Sequence, residues 1–268
     1  MQRHVIITGG NTGLGWQVAR YALAEDCEVT LAVRSRERGT HAAAKLREEF
    51  NGARVNVAQL DLADLASVEL FAKAISHWDV LINNAGAKIE RPYKQTKQGF
   101  EWHVGVNHLG HFALTRLLWP SGSTSAKLVT VSSIVARKGN LDFEPAQFDR
   151  GSAYANSKLM NLVFAQELAR RLSATASSKS SMVAHPGFAR ASFYGSKLIR
   201  ISEYLFAHSA KLGAKSIWAA AKANNGDYLA PRWFELWGKP KKFDKPLHAG
   251  SQQLWLESET RTGLEFSI

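Results

Sequence analysis

Val5-Ile6-Ile7 runs directly into Thr8-Gly9-Gly10-Asn11-Thr12-Gly13-Leu14-Gly15, and a helix pattern from Trp16 to Ala24 follows. Three consecutive apolar residues read as a strand buried on both faces. A strand, a glycine turn and a helix in that order present the unpaired amides of a helix N-terminus to whatever lies above the turn, and a phosphate suits them. Gly9 supplies the sharp exit from the strand. Gly13 lets the backbone come close to a pyrophosphate. Gly15 lets the helix pack tightly on the sheet. Asn11, Thr12 and Leu14 complete the loop and are counted with it among the nucleotide-binding residues. The spacing is Gly-x-x-x-Gly-x-Gly, which alone is equally consistent with an ordinary strand-to-helix turn.

The rest of the chain repeats this alternation. Strand patterns at Glu28–Arg34, Arg54–Leu62, Asp79–Gly86, Lys127–Ser133 and Ser181–Gly187 alternate with helix patterns at Thr40–Phe50, Leu65–Ser76, Phe100–Trp119 and Tyr154–Leu172. That order predicts an α/β fold, a Rossmann-type doubly wound parallel sheet with helices on both faces. At 268 residues, with no linker and no internal repeat, residues 1–268 are expected to form one domain.

Composition narrows the classes. The single cysteine, Cys27, excludes a disulfide framework and a multi-thiolate metal site. Strand residues begin at Val5 and no apolar run reaches membrane-span length, so a cytoplasmic chain without signal peptide or integral membrane segment is expected. The formal net charge of +11 permits an anionic partner, but the basic residues are scattered. The densest cluster, Lys239, Lys241, Lys242 and Lys245, reads as a solvated face, and without a reading motif no nucleic-acid partner is expected.

The strand ends carry the candidate chemistry. The second strand ends in Val33-Arg34-Ser35-Arg36, with no acid to accept from a free ribose 2′-hydroxyl. Arg34 could instead pair with a 2′-phosphate, which selects NADP(H) over NAD(H); the alternative is a solvent-facing arginine. Asp61 ends the third strand, as a turn residue or as an acceptor for an adenine amino group. Asn84, Ala85 and Gly86 let the fourth strand's exit lie close to a cofactor. His108 and His111 share a helix, but no acid or thiol completes a metal site, so none is expected. Asn107 in the same helix is a mildly unfavourable choice that needs a reason.

Tyr154 and Lys158 stand one helical turn apart on one face. A fixed ammonium beside a phenol favours the phenolate, so the pair is expected to lower the tyrosine pKa and serve as a proton relay between alcohol and carbonyl. Ser133 leaves the fifth strand where it could hold the substrate oxygen.

Taken together, these motifs resemble the short-chain dehydrogenase/reductase family, from Val5 to about Ser192. The likeness rests on Thr8-Gly9-x-x-x-Gly13-x-Gly15, Asp61-Leu62, Asn83-Asn84-Ala85-Gly86, Asn107, Ser132-Ser133, Tyr154-x-x-x-Lys158 and Pro186-Gly187. The runs Val104–Phe112, Tyr154–Leu159 and Leu254–Ser258 are similar to its retinol dehydrogenase-like and WW-domain oxidoreductase-like branch. The resemblance implies Tyr154 as acid/base, Ser133 as the residue polarising the carbonyl with Ser132 as fallback, and Lys158 on the nicotinamide ribose. It implies that Asn107 holds a water in the proton path. Leu62, Pro186 and Gly187 join the cofactor contacts on the same ground. It also implies a substrate lid around 188–212, whose apolar content suggests a lipophilic or aromatic carbonyl substrate. Pairing of the helices at Phe100–Trp119 and Tyr154–Leu172 into a homodimer or homotetramer is implied likewise.

The leading expectation is therefore an NADP(H)-dependent oxidoreductase acting on a carbonyl or alcohol. The competing one is a non-catalytic NADP(H)-binding sensor, which would have no use for a complete Asn107, Ser133, Tyr154 and Lys158 set.

Overall fold

The structure, a computed structural model, describes residues 2–87, 93–144, 148–187 and 210–268. Among these described residues eight strands form one sheet: β1 (His4–Thr8), β2 (Glu28–Val33), β3 (Val55–Gln59), β4 (Trp78–Asn83), β5 (Gly122–Val131), β6 (Ser180–Ala184), β7 (Tyr228–Trp233) and β8 (Trp237–Phe243). Their order across the sheet is β3-β2-β1-β4-β5-β6-β7-β8. Pairing is parallel from β3 to β7, and β8 closes the edge antiparallel to β7. The expected doubly wound sheet is present, with one hairpin strand added.

Side-chain alternation distributes the core to both faces. Val5, Ile7, Val29, Leu31, Val80, Ile82 and Val129 point to one side. There α1 (Gly13–Leu23), α2 (Arg36–Glu49) and α6 (Ala210–Ala220) cover them. Ile6, Leu81 and Leu128 point to the other side, under α3 (Leu65–Lys73), α4 (Gly110–Leu118), α5 (Arg150–Ala174) and α7 (Ser251–Thr262). Because both faces are buried, the central strands read as unbroken apolar runs.

The helix beginnings differ in a way that matters for the site. Ser35 caps α2 at Arg38 N, Asp64 caps α3 at Ala66 N, and Asp149 caps α5 at Ser152 N. Thr12, at the start of α1, makes no such bond. The first-turn amides of α1 thus have no side chain closing over them.

Two features depart from the regular elements expected. The helix expected at Phe100–Trp119 opens into a π turn at Val104–Leu109 before α4 continues it. Two close approaches flank the turn: a Cβ at Gly105 would stand 2.3 Å from Thr96 Cγ2, and one at Gly110 would stand 2.5 Å from the Leu62 carbonyl. The second departure is an aromatic cover over α4 and α5 from the end of the chain. Trp255 of α7 packs on Phe112 and Phe164 at 5.5 and 5.8 Å between rings, and Phe266 of the tail seals them at 5.9 Å from Phe112. Most of the lid expected at 188–212, residues 188–209, lies outside the described residues.

Candidate active site

The carboxyl ends of β1, β4 and β5 and the start of α5 bring the predicted residues together. Gly9 leaves β1 at φ +64, where an added Cβ would press on Ala85 at 3.2 Å. A Cβ at Gly15 would stand 2.5 Å from the Gly9 carbonyl, so helix and turn interlock only through glycine. Gly13, also left-handed at φ +56, has nothing within 4 Å of its Cβ position and faces open space. At β4, a Cβ on Gly86 would lie 3.5 Å from both Asn107 Oδ1 and Lys158 Nζ.

A dinucleotide fits this cradle. The uncapped α1 amides and the open Gly13 suit a pyrophosphate, and the bare Gly86 floor beneath Lys158 suits a flat ring. Arg34, at the tip of β2, is exposed, and its guanidinium makes no ion pair among the described residues. Asp61 accepts from Ala63 N at 3.0 Å, the turn role considered for it, while the Leu62 side chain is buried in the core. Pro186 is buried, and Gly187 leaves β6 at φ +77.

Asn107 owes its place to the π turn. Its Oδ1 accepts from Ala87 N at 2.6 Å and its Nδ2 donates to Ser157 Oγ at 2.9 Å, so one side chain ties the β4 exit to α5. This accounts for a polar residue at a fully buried helical position.

The two serines separate cleanly. Ser132 is buried, and its hydroxyl donates to the Lys158 carbonyl at 2.7 Å. Ser133, one residue on and half-buried, has no hydrogen bond for its hydroxyl among the described residues. Alternation along the strand end turns one into α5 and the other out of it.

Tyr154 and Lys158 share a face of α5 as expected. Lys158 Nζ donates to the Val131 carbonyl at 3.2 Å and lies 5.8 Å from the centre of the Tyr154 ring. The expected lowering of the tyrosine pKa is not present. Burial pushes the phenol up to about 12 and the Lys158 ammonium down to about 8. Desolvation penalises each charged form, and at this separation the lysine does not offset it. The hydroxyl is thus a firmly protonated acid.

Sequence reasoning names Thr8 and His111 but does not give the roles they have here. Thr8 Oγ1 receives the amides of Asn84 and Ala85, each at 2.9 Å, and stitches β1 to β4. His111 Nε2 lies 2.9 Å from that hydroxyl. His108 Nε2 lies 2.8 Å from Ser258 Oγ, on another side of the helix. Burial holds both imidazoles neutral, at about 3 for His108 and about 4 for His111. No group of three metal-ligating side chains occurs among the described residues. A hollow of about 770 Å³ opens at the opposite, amino-terminal edge of the sheet, lined in part by His4, Thr30, Asn56 and His77. None of the predicted site residues lines it.

Several known proteins are similar to this chain. The family profile described as short chain dehydrogenase matches residues 3–195. Human retinol dehydrogenase 12 is 37% identical over 249 residues, covering 86% of this chain and 76% of that protein. Human retinol dehydrogenase 11 is 40% identical over 211 residues, covering 75% of this chain and 64% of that protein, just under two thirds of its length. A crystal structure of an uncharacterized protein from Mycobacterium Paratuberculosis is 35% identical, with a TM-score of 0.85 over 100% of this chain and 96% of that one. L-sorbose reductase from Gluconobacter frateurii, solved with NADPH and L-sorbose, is 19% identical, with a TM-score of 0.67 over 85% and 94%, a likeness of fold alone.

Proposed function

The chain belongs to the short-chain dehydrogenase family, and we propose that it passes hydride between NADP(H) and the carbonyl or alcohol carbon of a lipophilic or aromatic small molecule. Membership makes it an NAD(P)-dependent oxidoreductase acting on CH–OH groups. The observation that carries the finer reading is the free Ser133 hydroxyl at the strand end beside the Tyr154 and Lys158 helix face.

The nicotinamide, when bound, supplies hydride in reduction and takes it in oxidation. In reduction, Ser133 Oγ donates a hydrogen bond to the substrate oxygen and polarises the carbonyl. Tyr154 delivers its hydroxyl proton to that oxygen as negative charge develops there. A phenol held near 12 is kept loaded for this step across the neutral range. Lys158, charged below about 8, then stabilises the phenolate left behind. Asn107 fixes the β4 exit to α5, and the second lone pair of its carbonyl is the place for a water that reloads the relay.

NADP(H) is favoured over NAD(H) by the unpaired Arg34 at the tip of β2, where a 2′-phosphate would lie. A lipophilic substrate is favoured by the names of the retinol dehydrogenase relatives and by Phe193, Tyr194, Leu198, Tyr204 and Phe206 in the lid segment, which lies outside the described residues. The test is oxidation of NADPH and of NADH, followed by absorbance, against a panel of lipophilic aldehydes and ketones and of small charged keto acids. The reading expects turnover with NADPH and the lipophilic members. Turnover confined to the keto acids, or faster with NADH, contradicts it.

A further inference from the structure

β7 pairs with β6 only through Tyr228 and Leu229, so Ala230–Trp233 runs on past the carboxyl edge of the sheet and turns back as β8. The tip of this hairpin is aromatic and turned outward. Trp233 is 61% exposed and Phe234 79%, and Trp237, paired with Trp233 across the ladder, is 38% exposed.

The turn is built to hold those rings in place. Phe234 and Glu235 both have positive φ, +54 and +59, and Leu236 N donates to the Trp233 carbonyl at 2.9 Å. That geometry ordinarily selects Asn-Gly, and larger side chains adopt it only when something fixes them there. Glu235 is the fixing group. Its carboxylate is buried, accepts the Tyr228 hydroxyl at 2.8 Å and pairs with Arg137 at 2.6 Å and Lys245 at 2.7 Å. The acid of the turn therefore faces inward, and Phe234 is held out into solvent.

Around the tip the charge is basic. Lys239 and Lys241 are exposed on β8 and make no ion pair among the described residues, while Arg232 stands 5.8 Å from the Trp233 ring. Lys242 is matched by Asp227, so part of the cluster read as a solvated face is neutralised. Asp244 is the one exposed acid between Tyr228 and Lys245.

Exposed tryptophan and phenylalanine inside a lysine collar match the boundary between lipid headgroups and acyl chains. Amphipathic rings sit there, and basic residues meet anionic headgroups. We propose that the Trp233, Phe234 and Trp237 tip, with Arg232, Lys239 and Lys241, seats the protein on an anionic lipid surface. This is attachment to one leaflet, not a span; no helix among the described residues is long and apolar enough to cross a membrane. The Arg137–Glu235 bond joins the tip to the 3-10 turn that follows Ser133, so attachment would bring the site's edge of the sheet to the lipid. The attachment does not depend on the reading of the reaction.

Co-sedimentation of the full chain with vesicles of phosphatidylcholine, alone or mixed with phosphatidylserine, tests this. Wild type is expected to sediment with the mixed vesicles, to be released by salt, and to show a blue shift of tryptophan emission on binding. Trp233→Ser with Phe234→Ser is expected to lower partitioning about tenfold or more. Lys239→Glu with Lys241→Glu is expected to lower it about fivefold or more, with an unchanged circular dichroism spectrum. Wild type left in the supernatant at low salt overturns the proposal, as does wild-type partitioning by the lysine variant. A wild-type dimer that the aromatic variant converts to monomer, with vesicle binding unchanged, assigns the tip to a second copy and overturns it equally.

Discussion

Thr8 Oγ1 lies 2.9 Å from His111 Nε2, joining the end of the first strand to the helix that carries Asn107. The direction of the bond is fixed by its neighbours. His111 Nδ1 faces the Asn107 carbonyl at 2.9 Å and must donate, so Nε2 accepts from the Thr8 hydroxyl. That hydroxyl in turn accepts from Ala85 N. Thr8→Val keeps the shape and leaves the half-buried Ala85 amide and the buried His111 ring nitrogen unpaired, at a cost of about 3 kcal/mol. The midpoint of urea denaturation should fall accordingly.

Acid should weaken this protein earlier than its carboxylates alone require. His108 and His111 are held at about 3 and about 4 in the fold, against 6.5 when free. Between those limits the unfolded chain binds protons that the native chain refuses, so stability present above about 6.5 is lost as pH falls. For His111 the loss approaches roughly 3 kcal/mol by pH ~4. Thermal melts at pH ~7 and ~5 should show a drop that shrinks in a His108→Gln, His111→Gln variant, although that variant starts lower.

Ser132 and Ser133 should fail in different ways. Ser133→Ala removes a hydroxyl with no partner in the fold, so stability should stay within about 0.5 kcal/mol while kcat falls about a hundredfold or more. Ser132→Ala breaks the bond to the Lys158 carbonyl and should cost about 1 kcal/mol in stability. Steady-state kinetics paired with denaturation curves separates the two.

Arg34→Ala should lower kcat/KM with NADPH about tenfold or more and leave NADH nearly unchanged, since only the 2′-phosphate distinguishes them. The ratio of the two specificity constants is the measurement. An unchanged ratio means that the arginine faces solvent alone.

Much of this was legible in the chain itself. The glycine turn and the Tyr154–Lys158 pair could be read because their geometry follows from local spacing. The π turn at Val104–Leu109 could not, because the close approaches beside it, Gly105 to Thr96 and Gly110 to the Leu62 carbonyl, are made by the fold and leave no mark in the local spacing. The β7–β8 hairpin was missed because Phe234-Glu235 carries no turn signal, and its conformation is held by the distant Arg137 as well as Tyr228 and Lys245. The sign of the tyrosine shift was misjudged because burial, invisible in a four-residue spacing, outweighs the neighbouring charge. The cover that α7 and Phe266 lay over Phe112 and Phe164 was not legible either, because it joins segments far apart in the chain.

The proposed reaction depends on proton transfer by Tyr154. Tyr154→Phe keeps the ring and its packing and removes only the hydroxyl. NADPH-dependent reduction of a lipophilic aldehyde should fall about a thousandfold or more in this variant, while NADPH binding, read by fluorescence quenching, stays at the wild-type level. Turnover that survives in Tyr154→Phe with binding intact would place the proton donor elsewhere and contradict the account.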